Sequence, residues 1–272
     1  MRARARLVVE RSPGDGASAV RELRSQAPLT LLPQRGTAAA RTKAVTVHLL
    51  GSAATPLGGD DVELDVVVGA GADLVLTGVA AALVLPAQGG EPSRLALRLE
   101  IGDGGSVQYL PGPTVVTARA DHESVLAARL GHGSRLRCRE VLVAGRSGER
   151  SGRYRGTTRV TGPGGPLLVQ THELGDAALH ASAAHLAGRR VLAGEVLVWG
   201  ADPAEAVAGE WWSLTPLGRG GSLATAVAAD AVTACRELAS AVAAHPGWSA
   251  TATAAADGDV TPRACRPARR DA

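Results

Sequence analysis

A chain of 272 residues is long enough to bury a sizeable core, and 45% of it is hydrophobic, yet it holds no Phe and only 2% aromatics. Its core must therefore be built from Val, Leu and Ala. A net charge of +3, spread over scattered arginines that Asp and Glu nearly balance, excludes the broad basic stripe of a nucleic-acid binder.

The N-terminal stretch MRARARLVVERSP is basic but has no apolar segment behind it, so it does not read as a secretory signal. No run approaches the ~18 apolar residues of a membrane helix. The expectation is a soluble, cytoplasmic protein. From Val45 to about Trp199 the dominant period is two. In DVELDVVVG, Val62, Leu64, Val66 and Val68 point one way while Asp61, Glu63 and Asp65 point the other. RLALRLEIG does the same with Leu95, Leu97, Leu99 and Ile101, and in SRLRCREVLVAG Arg135, Arg137 and Arg139 alternate with Leu136 and Cys138. Strict alternation marks a strand with one buried face. VTVHLL, DLVLTG, SVQYL, PLLVQTHEL and RVLAGEVLVWG are further strands.

Glycine-rich turns separate these segments, and no helical segment intervenes. The pattern favours a mainly β, two-sheet body over βαβ units. After Gly221 the Ala-rich SLATAVAADAVTACRELASAVAAH places Leu223, Val227, Ala231, Ala234, Leu238 and Val242 three and four apart, which predicts a helix over about 222–245. Ser222 would cap it and Pro246-Gly247 would stop it. A shorter helix is expected over Pro203 to Ala208. One domain would span 1–250, followed by a disordered, Arg/Pro-rich tail over 251–272. No internal repeat stands out.

Gly69-Ala70-Gly71, directly after Val66-Val67-Val68, invites comparison with a dinucleotide-binding turn. That fingerprint needs a third glycine and a helix that begins inside it. Here Leu74 holds the third glycine position and another strand follows, so a hairpin with glycines at positive φ is the expectation. No Walker A, H-E-x-x-H or G-x-S-x-G sequence occurs. The cysteines Cys138, Cys235 and Cys265 are odd in number and widely spaced, which argues against a disulfide framework and a C-x-x-C knuckle.

Four segments, in order, resemble the family of urease accessory proteins UreD, also called UreH. LRSQAPLTLLPQ resembles the family's opening strand pair, and PLGGDDVELDVVVGAGADLVLTG its Gly-Gly-Asp turn, strand, Gly-Ala turn and Thr-containing strand. GGSVQYLPGPTVV resembles its aromatic-Leu-Pro segment, and VLVAGRSGERSGRYRG its Gly-Arg motif with a nearby glutamate. The resemblance implies a β-helix-like, two-layer fold with one or two helices in the C-terminal third. It also implies a non-enzymatic scaffold that binds apo-urease subunits and UreF, with UreG joining through UreF, for nickel insertion. No tightly bound cofactor would be needed; nickel would be in transit.

The resemblance directs attention to Gly58-Gly59-Asp60, Pro111 and Gly145-Arg146 with Glu149. Asp60 could line a nickel path, contact a partner, or close its own turn. Arg146 could tie a loop carbonyl, pair with Glu149, or anchor a partner carboxylate. Imidazole and carboxylate suit nickel, and Asp121-His122-Glu123 is the best local cluster. On a strand, however, only Asp121 and Glu123 would share a face, so a firm metal site is not expected. Of Trp211 and Trp212, one could be an exposed interface anchor, or both could cover the rim of the β body. The competing reading is a small all-β hydrolase or lyase with a cleft between its sheets, but Ser, Cys and His form no recognisable group. A carbohydrate-binding module would need aromatic platforms that the composition denies.

Overall fold

The computed structural model describes residues 1–36 and 42–248, and in it the period-two segments stack as coils of a two-sheet β-solenoid. The chain opens with β1 (Arg2–Arg11), β2 (Ser18–Arg24), β3 (Leu29–Pro33) and β4 (Val45–Gly51). A first coil consists of β5 (Asp61–Val68), β6 (Asp73–Gly78) and the short β7 (Ala82–Val84). A second consists of β8 (Ser93–Ile101), β9 (Ser106–Leu110) and β10 (Thr114–Val116). The third is β11 (Asp121–Leu130) with β12 (Arg135–Ala144), after which β13 (Arg153–Gly162) folds back into β14 (Gly165–Leu174). Beyond α1 (Ala177–Ala181) lie β15 (Val191–Val198), β16 (Val207–Ala208), β17 (Trp212–Pro216), β18 (Ser222–Ala228) and α2 (Ala231–Ala243).

The first sheet has the order β14-β13-β11-β8-β5-β1-β2 and the second the order β16-β17-β18-β15-β12-β9-β6-β4-β3. Strands β1, β5, β8, β11 and β13 run parallel in the first, as do β4, β6, β9 and β12 in the second. Parallel neighbours need a long crossover. Here the crossover from one strand to its parallel neighbour is a strand of the opposite sheet, so no helix is required.

This topology corrects the expected hairpin at Gly69-Ala70-Gly71. β5 belongs to the first sheet and β6 to the second, so the turn is a corner between sheets. It also reveals a repeat that the sequence hides. Gly69-Ala70-Gly71-Ala72, Gly102-Asp103-Gly104-Gly105 and Gly131-His132-Gly133-Ser134 are the same corner on successive coils, roughly thirty residues apart. In each, the fourth residue donates its N–H to the carbonyl of the first, and the second glycine has φ of 63°, 64° and 62° in turn. That region favours glycine. The corners are stitched together by Gly71 N–H to Asp103 O at 2.9 Å and Gly104 N–H to His132 O at 2.8 Å.

The inner faces bury Val62, Leu64, Val66 and Val68 against Leu74, Leu76, Val107 and Leu136 in one cluster. On the outer face of the first sheet, basic and acidic strands alternate. Arg4 and Arg98 flank Glu63 at 3.5 and 3.2 Å, Arg94 reaches Glu123 at 3.6 Å, and Arg153 reaches Asp121 at 3.7 Å. Exposed pairs of this kind stabilise little, but opposite charges on neighbouring strands favour this register over slipped ones.

The late helix is shorter than the sequence suggests. Ser222–Ala228 is strand β18, hydrogen-bonded to β15 and β17 and burying alternate residues, and Ser222 caps nothing. The actual cap is Asp230, whose carboxylate accepts the Thr233 N–H at 2.9 Å, and α2 closes at Ala244, ahead of Pro246. Leu238, Ala241 and Val242 of α2 pack on Ala193, Leu214, Ala224 and Ala226 of the second sheet. Pro203 to Ala208 contains no helix; its end is β16, and the short helix lies instead at Ala177–Ala181. Among the described residues no helix is long and apolar enough to cross a membrane. The expected tail over 251–272 lies outside the described residues.

Candidate functional site

A cavity of ≈ 100 Å³ lies between the sheets, and a second, apolar hollow of ≈ 430 Å³ shares Pro56, Leu95, Tyr109 and Pro111 with it. The cavity wall is mainly apolar, but polar side chains from four strands converge on it. β12 contributes Cys138 and Glu140, β11 contributes His122 and Ser124, β13 contributes Tyr154 and Thr158, and β14 contributes Gln170 and His172. Strand parity explains the convergence: each lies an even number of residues from an inward-facing apolar side chain of its own strand.

Glu140 is the centre of the cluster. Its Oε1 accepts the Tyr154 hydroxyl at 2.6 Å, and its Oε2 stands 3.3 Å from His172 Nδ1. The His122 ring lies over that of Tyr154 with centroids 5.8 Å apart, and its Nδ1 shares a hydrogen bond of 2.8 Å with Ser93 Oγ. Burial drives His122 down to about 4, against the opposing pull of Glu140 and the Ser93 hydrogen bond, so it is neutral at pH 7. Burial, with Glu140 adding to it, pushes the Tyr154 hydroxyl well up. Burial likewise raises the Cys138 thiol, followed by the charges of Glu140 and Glu195, so Cys138 supplies no thiolate. Ser93 is fully buried and does not line the cavity, so its pairing orients the imidazole and presents no nucleophile. The cluster can offer a passing cation the Glu140 carboxylate and the imidazoles of His122 and His172, a donor set that suits nickel. Among the described residues no three His, Cys, Asp or Glu side chains group as a metal-holding site.

Most of the sequence candidates lie apart from this cluster. Asp60 is buried beneath the Gly58-Gly59 turn, where its carboxylate accepts the Leu57 N–H at 2.9 Å, the Thr55 hydroxyl at 3.2 Å and the Met1 amine at 2.8 Å. Burial opposes its ionisation, but the amine and these hydrogen bonds together hold its carboxyl below the usual range. Pro111 walls both hollows, and its carbonyl accepts Arg139 Nη2 at 3.3 Å.

Gly145 begins the loop of Arg146 and Glu149, which form a two-pronged pair at 2.9 and 3.0 Å. The Arg146 hydrogen bonds bring Glu149 down to about 2. Arg190 donates to the Gly145 carbonyl at 2.9 Å and so ties this loop to the start of β15.

Asp121 and Glu123 do share the outer face of β11, but each pairs with a different arginine, while His122 points into the cavity. Trp211 and Trp212 are both half-buried. Arg189 lies over Trp211 at 4.0 Å, and Trp212 packs against the α2 cluster. Glu140 and Tyr154 escaped sequence reasoning. One signal was present: in SRLRCREVLVAG, Glu140 has the parity of Leu136 and Cys138 and is the lone acid on that apolar face.

Comparison with known proteins gives a consistent result. The family model described as UreD urease accessory protein matches residues 1–270. "Urease accessory protein UreD 1" of Saccharopolyspora erythraea is 54% identical over 246 residues, covering 90% of this chain and 96% of its own length. The "Urease accessory protein UreD" of Frankia alni is 40% identical, covering 88% of this chain and 91% of its own length. That of a Parafrankia species is 38% identical, covering 88% and 86%.

Proposed function

The chain belongs to the UreD family of urease accessory proteins, and on that premise we propose that it is a non-catalytic scaffold for urease maturation. It binds apo-urease and UreF, with UreG joining through UreF, and nickel moves toward urease through the space between its sheets. The observation that carries this proposal is the convergence of polar side chains on a cavity in an otherwise aliphatic interior. A solenoid held by Val and Leu gains nothing from burying His122 and Tyr154 and half-burying Glu140 and His172 together, because each costs desolvation that its hydrogen bonds only partly offset. Such residues make sense where a polar cargo has to cross an apolar core. One carboxylate with two imidazoles suits brief, exchangeable contact better than tight retention.

The test is co-expression of the tagged chain with urease subunits, with and without UreF and UreG, in a strain lacking its own accessory protein. Stoichiometric co-purification and nickel-dependent urease activity are expected. A monomer that ignores urease and UreF and leaves urease inactive would overturn the scaffold role.

A further inference from the structure

The end of α2 is fastened to the second sheet by a network that none of the roles above uses. His245 is completely buried just past the helix cap. Its Nδ1 accepts the Trp248 backbone N–H at 3.1 Å, which leaves the ring proton of the neutral imidazole on Nε2. Nε2 faces Asp202 Oδ1 at 3.4 Å. The Asp202 carboxylate also accepts the Gly221 N–H at 2.7 Å and the Ser222 hydroxyl at 2.8 Å, so it is anchored to the beginning of β18. The turn that His245 closes lays the Trp248 indole over the Arg137 guanidinium at 4.2 Å and edge-on to Trp199 at 5.3 Å. Arg137 is itself buried and paired with Glu195.

We propose that His245 is a protonation-sensitive clasp: neutral, it holds Trp248 on the sheet, and protonated, it releases Trp248 and uncovers the Arg137–Glu195 pair. The chemistry is local. A proton on Nδ1 turns the acceptor of the Trp248 N–H into a second donor, and two donors at that distance repel. Among the described residues, Asp202 is the charged group in contact that favours the imidazolium. The cations of the surrounding elements are Arg137 beneath Trp248, Arg135 beside Trp199 and Arg219 in the hollow shared with Asp202, and Glu195 is already paired with Arg137.

Burial, the largest influence, outweighs Asp202 and holds His245 below the ordinary histidine value. The neutral form is thus the one that the fold favours. The clasp is closed above the unfolded value of about 6.5 and is lost as pH falls through the lowered folded value.

The experiment follows tryptophan emission and far-UV circular dichroism of the full chain from roughly pH 8 to pH 4.5. Three proteins are compared: the natural chain, Trp248→Leu, and His245→Gln, whose amide oxygen keeps an acceptor but does not titrate. The expected result is an emission change in the natural chain, with a midpoint below about 6.5 and an unchanged strand spectrum. That change is absent from both variants. A flat natural profile, the same transition in His245→Gln, or a transition that coincides with loss of strand signal would each overturn the clasp. Should His245→Gln fail to fold, Trp248→Leu decides alone: persistence of the transition without that indole contradicts the proposal.

Discussion

Glu140 and Gly145 stand at opposite ends of what single residues disclose. Glu140 was readable by parity, since an acid on the apolar side of an alternating strand must find partners inside. Its partners Tyr154 and His172 were not readable, because they come from strands of the other sheet and nothing local in the chain brings them near. The Gly-Arg motif, in contrast, was visible as a motif but mute about its cause. Gly145 has φ of 75°, and a Cβ there would meet the Glu149 carbonyl oxygen at 2.4 Å. Both facts forbid a side chain without movement of the loop. Gly145→Ala is therefore expected to destabilise the chain by about 1–3 kcal/mol, read from urea unfolding, and to loosen the Arg146–Glu149 pair. An unchanged unfolding midpoint would contradict the strain assigned to that backbone.

β18 and α2 show where periodicity misleads at the scale of elements. SLATAVA carries Leu223, Thr225 and Val227 on one face and Ser222, Ala224, Ala226 and Ala228 on the other, a strand pattern masked by alanine, which fits any period. The neighbours settle the matter: β15 and β17 both bond to this segment, and Asp230 places the helix start where the chain leaves the sheet. Most period-two strands of the middle were legible because charged and aliphatic residues alternate there without ambiguity. α2 buries Ala234, Leu238, Ala241 and Val242 and leaves Val232, Arg236, Ala239 and Ala243 exposed. If that edge meets UreF, Ala239→Glu weakens co-purification with UreF while the thermal midpoint moves little, since exposed helix sites tolerate Glu. Undiminished binding would place the UreF contact elsewhere.

For the whole molecule, the sequence showed a two-sheet β body but not its coiling. Three corners of near-identical geometry differ at their middle positions, Ala70, Asp103 and His132, so the repeat is carried by glycine spacing and backbone hydrogen bonds more than by side chains. Coiling is what matters for function. Successive coils stack strands at one spacing, and between the packed sheets lies a cavity of ≈ 100 Å³ that β11, β13 and β14 line with polar groups opposite Glu140. The outer face of the first sheet, with many of its charges paired across strands, is suited to water. The central claim is that nickel crosses the inter-sheet space past Glu140, and the most direct measurement is the nickel content of urease purified in complex with Glu140→Gln. The amide keeps an acceptor for Tyr154 while removing the charge that a cation would meet. An intact complex whose urease carries several-fold less nickel is the expected result; an intact complex with fully loaded, active urease would contradict passage by this route.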